Sequence, residues 1–318
     1  MKKNVLLLET IASEADTLLR ENTTVHEAFQ SMNPVEIAKN ATIHSVVTRG
    51  KGQVNRELMD ACPELEVVAR CGVGLDNVDV GEATRRGIKV INAPGSNSST
   101  IAEHALTLML MGIRDVWNSV ERVKNGDWSW RNQYSGDELR DKTLGILGMG
   151  NIGRRVAKLG DAFGMKVVYW DKFPVQSEYE SCTMESVFKQ ADVVTVHVPL
   201  LDETKKMVGE KQLNLMKPDA WLINTARGPI IDETALLKAL DSGKISGFAA
   251  DVLSVEPPDS NHSLVNHPKT LITPHTGSLT STTYRNMCVS TVQNVIAVLN
   301  GSTPDPESVF NRNELNSK

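Results

Sequence analysis

The stretch that decides the fold is KTLGILGMGNIG, residues 142–153. An apolar β-type run, TLGIL, meets Gly148-Met149-Gly150-Asn151-Ile152-Gly153 directly. Ile152, Val156, Leu159 and Phe163 then recur at the spacing of a helix face. A second run, KVVYWD at 166–171, ends on Asp171, eighteen residues after Gly153. Strand, glycine turn, helix, strand and terminal acid, in that order, read as a dinucleotide-binding βαβ unit. Each glycine has its own task. Gly148 permits the tight turn, Gly150 lets backbone approach a pyrophosphate, and Gly153 lets helix and strand pack closely. The helix N-terminus supplies N–H groups and positive dipole to the phosphates. Asp171 accepts hydrogen bonds from ribose hydroxyls and repels a 2′-phosphate, which predicts NAD over NADP. Lys172 beside it works the other way.

Working outward, ADVVTVHVPL (191–200), AWLINTARG (220–228), ISGFAADVL (245–253) and KTLITPH (269–275) bring the strand-like runs of this half to six. Helical patterns lie between them, so a doubly wound Rossmann sheet is predicted. Upstream, VLLLE (5–9), HSVVT (44–48), LEVVAR (65–70) and IKVINAP (88–94) alternate with helical segments such as SEADTLLREN. These predict a second parallel α/β unit of flavodoxin-like type. Residues 101–125 predict one long, mostly apolar helix. NGDWSWRNQYSGDEL follows as an arm or loop, and its aromatics either pack on another surface or cap their own domain. A helix after residue 280, TTYRNMCVSTVQNVIAVLNG, is expected to return to the first unit and make it discontinuous. The expected organisation is a substrate domain from residues 1–99 and 286–318, and an NAD-binding domain from 100–285 that includes the arm.

Composition sets outer bounds. A chain of 318 residues with 40% hydrophobic and 23% charged side chains reads as globular, with two domains. The net charge of −5 comes without a basic stripe, so nucleic acid is not an expected partner. Cys62, Cys71, Cys182 and Cys288 are scattered, with no CxxC, which predicts reduced thiols in the cytoplasm and no metal site. The apolar run of MKKNVLLLET is too short for a signal core, and ALTLMLMGI at 105–113 is too short to span a membrane.

In open α/β sheets ligands bind beyond the carboxyl ends of the strands. AWLIN is followed by Thr225-Ala226-Arg227-Gly228, FAADVLSV runs into Glu256, and TLIT is followed by Pro274-His275. A cation, a carboxylate and an imidazole thus stand at three strand ends. Arg can bind a carboxylate through two parallel hydrogen bonds or polarise a carbonyl. His can take a hydroxyl proton and return it. A Glu on the other ring nitrogen fixes the tautomer and favours imidazolium. Pro257 and Pro258 stiffen the segment that aims Glu256. Taken singly, Arg227 also fits a surface ion pair, Glu256 a solvated turn and His275 a satisfied core histidine; together they suit redox of a 2-hydroxy acid. Cys71-Gly72-Val73-Gly74-Leu75-Asp76 follows a strand but lacks a third glycine. It reads as a loop whose N–H groups hold a carboxylate, or as a plain structural turn.

With these residues in place, the chain resembles the D-isomer-specific 2-hydroxyacid dehydrogenase family from about residue 40 to residue 300. GVGLDNVD, LGILGMGNIG, HVPL, NTARGPIIDETAL, GFAADVLSVEPP and TPHTGS carry the resemblance. ARCGVGLDNVD and NGDWSW look most like the D-3-phosphoglycerate dehydrogenase branch, which often carries a C-terminal regulatory domain that the resemblance does not reach here. The resemblance implies that Arg227, Glu256 and His275 are catalytic. It implies that Asn151, Ile152, Asp171, Val198, Pro199, Thr225, Asp251 and Gly277 contact the cofactor. It places Val73 and Gly74 in the loop that holds the substrate carboxylate, and Arg70 and Arg131 at phosphate-binding positions. It also implies a homodimer formed through the arm. The expected activity is hydride transfer between NAD(H) and a D-2-hydroxy acid/2-keto acid pair, with 3-phosphoglycerate/3-phosphohydroxypyruvate first and glyoxylate or hydroxypyruvate reduction as the alternative. A non-enzymatic NAD-sensing scaffold of the co-repressor kind is the other class.

Overall fold

The computed structural model describes residues 2–29 and 33–317. The chain divides into two compact units, Met1–Asn97 with Leu279–Lys318, and Ser98–Ser278.

The first unit holds β1 (Asn4–Leu7), β2 (Thr24–Glu27), β3 (Ile43–Thr48), β4 (Val67–Arg70) and β5 (Lys89–Ile91). They form a parallel sheet in the order β2-β1-β3-β4-β5, the flavodoxin-like arrangement. β2 has no counterpart among the predicted runs. Its sequence, TVHE, sits at the sheet edge with no fully buried residue, so it lacks an apolar signal. The helix Ser281–Leu299 packs against β4 and against the helix Ser13–Asn22. Cys288, Val292, Val295 and Val298 on it share a core with Val5, Leu7, Val67 and Ala69. The opposite face of the sheet buries Leu6, Val46, Val68 and Val90 with Leu58 and Met59. Apolar side chains on both faces of each strand are what a parallel sheet requires.

The second unit holds β6 (Thr143–Leu147), β7 (Lys166–Trp170), β8 (Glu180–Ser181), β9 (Val193–Val196), β10 (Trp221–Asn224), β11 (Gly247–Ala250) and β12 (Thr270–Ile272). All pair in parallel, in the order β12-β11-β10-β9-β6-β7-β8. The six predicted runs are all strands. The seventh, β8, is two exposed polar residues at the edge and leaves no pattern to read. The strand order reverses between β6 and β9, which places the ligand crevice of such sheets beyond their carboxyl ends.

Two helical expectations need correction. Residues 101–125 are not one helix but two, Ser98–Ile113 and Val116–Lys124. Asp115 breaks them at φ 46°, and its carboxylate accepts a hydrogen bond of 2.6 Å from the Asn118 amide. The apolar period continues across the break through Val116, Val120 and Val123, which is why the pattern reads as unbroken. The first helix is buried, and a Cβ on Gly112 would lie 2.6 Å from the Trp221 ring. The second buries none of its residues. Phe163 lies just past the end of the helix Asn151–Ala162 and is exposed, so the buried face of that helix runs through Gly153, Val156, Ala157 and Gly160 instead.

Candidate active site

The turn after β6 is built as its glycines require. Gly148 has φ 95°, and a Cβ there would lie 2.8 Å from the carbonyl oxygen of His197. A Cβ on Gly153 would collide with the Gly148 carbonyl. At Gly150 a Cβ would meet no atom within 4 Å. Gly150 is also the N-cap of the helix and offers no side chain, so the first N–H groups stay available to a ligand. Asp171, at the end of β7, accepts from the Met149 N–H at 2.7 Å and from the Phe173 N–H at 3.0 Å. It therefore ties the glycine turn to β7. Lys172 pairs with Glu203 at 2.6 Å. Val198 and Pro199 follow β9, and the Thr204 hydroxyl closes their turn by donating to the Pro199 carbonyl at 2.7 Å.

Two buried polar atoms here have no hydrogen-bond partner among the described residues: Thr225 Oγ1 and His197 Nδ1. An orphaned hydroxyl at a strand end, an open backbone cradle and a carboxylate at the end of β7 are what a dinucleotide needs. The turn fits the expected cofactor. His197 itself is fully buried, which pushes its imidazole down to about 3, and its Nε2 lies 2.9 Å from the Thr195 hydroxyl.

The three strand ends are shaped locally. After β10, the Asn224 side chain accepts from the Ala226 N–H at 3.0 Å and donates to the Arg227 carbonyl at 2.9 Å, folding the chain around itself. A Cβ on Gly228 would collide with the Leu253 backbone, so the Arg227 turn rests directly on the segment after β11. Glu256 bonds in two directions. One oxygen accepts from the Leu253 N–H at 3.0 Å, and the other lies 2.6 Å from His275 Nδ1. Burial raises the Glu256 carboxyl, but the bonds from His275 and Leu253, with the charges of His275 and Arg227, outweigh this and hold it below its ordinary value. A carboxylate can only accept, so Nδ1 carries the hydrogen and Nε2 is the atom left to exchange a proton.

His275 is held in a left-handed backbone conformation, φ 54°. Such a conformation costs a non-glycine residue of order 1–3 kcal/mol and persists only where its surroundings enforce it. The enforcing group is Asp251. Its Oδ1 accepts from the Thr273 hydroxyl at 2.6 Å and the Thr276 N–H at 2.9 Å, and its Oδ2 accepts from the Gly277 N–H at 2.7 Å. His104 Nε2 lies 3.0 Å from the same Thr273 hydroxyl and 3.5 Å from Asp251. Burial raises the Asp251 carboxyl, yet these hydrogen bonds bring it below its ordinary value. The pinning role of Asp251, and His104 altogether, escaped the sequence reading. A histidine in the apolar helical stretch IAEHALTLMLMG (101–112) is the only signal, and its partners lie far along the chain.

The other residues singled out fall in two places. Val73 and Gly74 lie in the loop after β4 in the first unit, where Asn92 Nδ2 donates to the Val73 carbonyl at 2.7 Å. Arg70 bonds the Gly74 carbonyl and donates through Nε to the Arg49 carbonyl at 2.9 Å. Arg131 is exposed in a short 3-10 turn, Trp128–Asn132, in the arm of the second unit.

Residues 106–277 match the model of the D-isomer specific 2-hydroxyacid dehydrogenase NAD binding domain. A glyoxylate reductase of Aeropyrum pernix is 40% identical over 266 residues, covering 79% of this chain and 78% of that protein. A D-3-phosphoglycerate dehydrogenase of Bacillus subtilis is 39% identical over 265 residues, covering 82% of this chain but 50% of that protein. The chain thus spans about half the length of the phosphoglycerate dehydrogenase it matches. The crystal structure of D-lactate dehydrogenase from Aquifex aeolicus, complexed with NAD and lactic acid, superposes with a TM-score of 0.83 at 29% identity, over 94% of this chain and 96% of that one. The chain belongs to the D-isomer specific 2-hydroxyacid dehydrogenase family, and its second unit carries the family's NAD-binding domain.

Proposed function

We propose that the protein is an NAD-dependent oxidoreductase that interconverts a D-2-hydroxy acid and its 2-keto acid. The observation that carries this is the His275–Glu256 pair, 2.6 Å apart, with the charge of Arg227 acting on the same carboxylate. In the reducing direction, Arg227 polarises the keto oxygen and His275 Nε2 gives it a proton. Glu256 holds the ring and stabilises its charged form. In the oxidising direction the proton returns to Nε2. The chemistry that NAD(H) supplies when bound is the hydride. Gly148, Gly150, Asn151, Ile152 and Gly153 would hold its pyrophosphate, with Asp171 at the ribose, Val198 and Pro199 on the adenine side, and Thr225, Asp251 and Gly277 toward the nicotinamide. Asp171 favours NAD over NADP, and the pairing of Lys172 with Glu203 removes the cation that a 2′-phosphate would seek.

Val73 and Gly74 are proposed to hold the substrate carboxylate through backbone N–H groups. Both 3-phosphohydroxypyruvate and glyoxylate or hydroxypyruvate remain substrates to test, since relatives named for each stand at 39% and 40% identity. A homodimer through the arm is supported by the helix Val116–Lys124, where Val116, Val120 and Val123 lie on one face and are 44%, 43% and 50% exposed. A cytoplasmic location is supported by four free cysteines. Among the described residues no helix is long and apolar enough to cross a membrane.

NADH oxidation across a panel of 2-keto acids, phosphorylated ones included, tests the reading. His275→Ala is expected to lower kcat by roughly 10²–10⁴-fold while NADH affinity stays within about twofold. Undiminished turnover in that variant rejects the assignment.

A further inference from the structure

Arg70 ends β4, and its side chain turns back into its own unit. Nε donates to the Arg49 carbonyl at 2.9 Å, Nη1 donates to the Gly74 carbonyl, and Asp76 balances the charge at 3.7 Å. Two glycines make room for the guanidinium. A Cβ on Gly50 would lie 3.3 Å from Nη2, and one on Gly72 3.5 Å from Nε. The neighbouring carbonyls of the loop are anchored as well. The Ala93 N–H donates to Gly72 O at 2.9 Å, and the buried Asn92 donates to Val73 O at 2.7 Å.

A trans peptide is planar, so its C=O and the following N–H point in opposite directions. Anchoring the carbonyls of Gly72, Val73 and Gly74 inward turns the N–H groups of Val73, Gly74 and Leu75 the other way. Those three N–H groups have no acceptor among the described residues. Successive N–H groups facing one way form an anion-binding concavity. We infer that Arg70 is a positioning residue, which aims the Val73–Leu75 amides at the substrate carboxylate by holding the Gly74 carbonyl, and is not a ligand for a substrate phosphate. This rests on the proposal that the loop binds that carboxylate. The loop then recognises any 2-keto acid by its carboxylate, whatever follows it.

Arg70→Met keeps the length of the side chain and removes its donors; Arg70→Lys restores a charge and a donor. For glyoxylate and for 3-phosphohydroxypyruvate alike, Arg70→Met should raise KM by the same factor, about tenfold or more, with kcat changed less. Arg70→Lys should recover part of both losses, and NADH affinity should stay unchanged in each variant. A loss confined to the phosphorylated acid overturns the inference. Hydrogen exchange without ligand is the second measurement. The amides of Gly72 and Ala93, whose hydrogen bonds fasten the loop, should exchange faster in Arg70→Met than in the wild type while the rest of the unit is unaltered, and equal rates overturn the inference too. If the wild type turns over neither acid, the oxidoreductase reading fails, and the exchange comparison still decides what Arg70 does.

Discussion

At the scale of single residues, the site depends on groups whose charge state is set by their surroundings. His197 gives the plainest case. Burial lowers its imidazole from 6.5 to about 3, so in the folded chain it stays neutral at any ordinary pH. In the unfolded chain it takes up a proton near its ordinary value. Stability from this residue is therefore complete above the unfolded value and falls as pH drops below it, until the folded value is reached. At pH 5 the expected loss is about 2 kcal/mol. All five tryptophans lie in the second unit, so their fluorescence in urea reports on it alone. His197→Asn should flatten the slope of that stability between about pH 6.5 and pH 4; an unchanged slope would place the acid sensitivity elsewhere. Glu256 has the opposite sign of charge but the same direction of loss. Its lowered value keeps the bond to His275 in place at neutral pH and surrenders it only on acidification through that folded value.

At the scale of elements, β6, its turn and the following helix separate two tasks that a glycine can perform. Gly153 is required by packing, because a Cβ would strike the Gly148 carbonyl, whereas Gly150 faces open space. Gly153→Ala should cost about 1–3 kcal/mol of stability in urea and also weaken NADH binding. Gly150→Ala should change stability by less than about 1 kcal/mol and still reduce NADH affinity, because the methyl would occupy the space proposed for the pyrophosphate. Fluorescence titration with NADH measures both, and a Gly150→Ala variant that binds normally would argue against a phosphate at that turn. The strand and its glycine turn were legible in the sequence, since their meaning lies in the order of twelve neighbouring residues, whereas the end of the following helix was not, and Phe163 falls outside its buried face. The break at Asp115 was not legible, because Val116, Val120 and Val123 keep the helical period going on the far side. The conformation that interrupts it is a backbone choice that the apolar pattern does not encode.

At the scale of the whole molecule, the exposed face of the helix Val116–Lys124 leads to a test of assembly. Val120 is 43% exposed between Val116 and Val123 on a helix that buries nothing of its own. Exposed apolar faces of this kind mark contact surfaces. Val120→Asp should shift the protein from dimer to monomer in sedimentation velocity while its circular dichroism is unchanged. A wild type that sediments as a monomer would reject the dimer outright.

What the sequence by itself determined is what depends on neighbours along the chain: parallel strands buried on both faces, a glycine turn between strand and helix, and Arg227, Glu256 and His275 at three strand ends. Only the tertiary structure decided which of these meet. Glu256 and His275 are nineteen residues apart, and their bond exists because β11 and β12 lie side by side. The left-handed backbone at His275 is held by Asp251, twenty-four residues earlier, and His104 reaches the same network from a helix 169 residues before Thr273. A local pattern can show that a residue stands at a strand end, because periodicity is a property of neighbours. The direction it faces and the groups that hold it there are set by strand order and packing, which join residues that share no stretch of sequence.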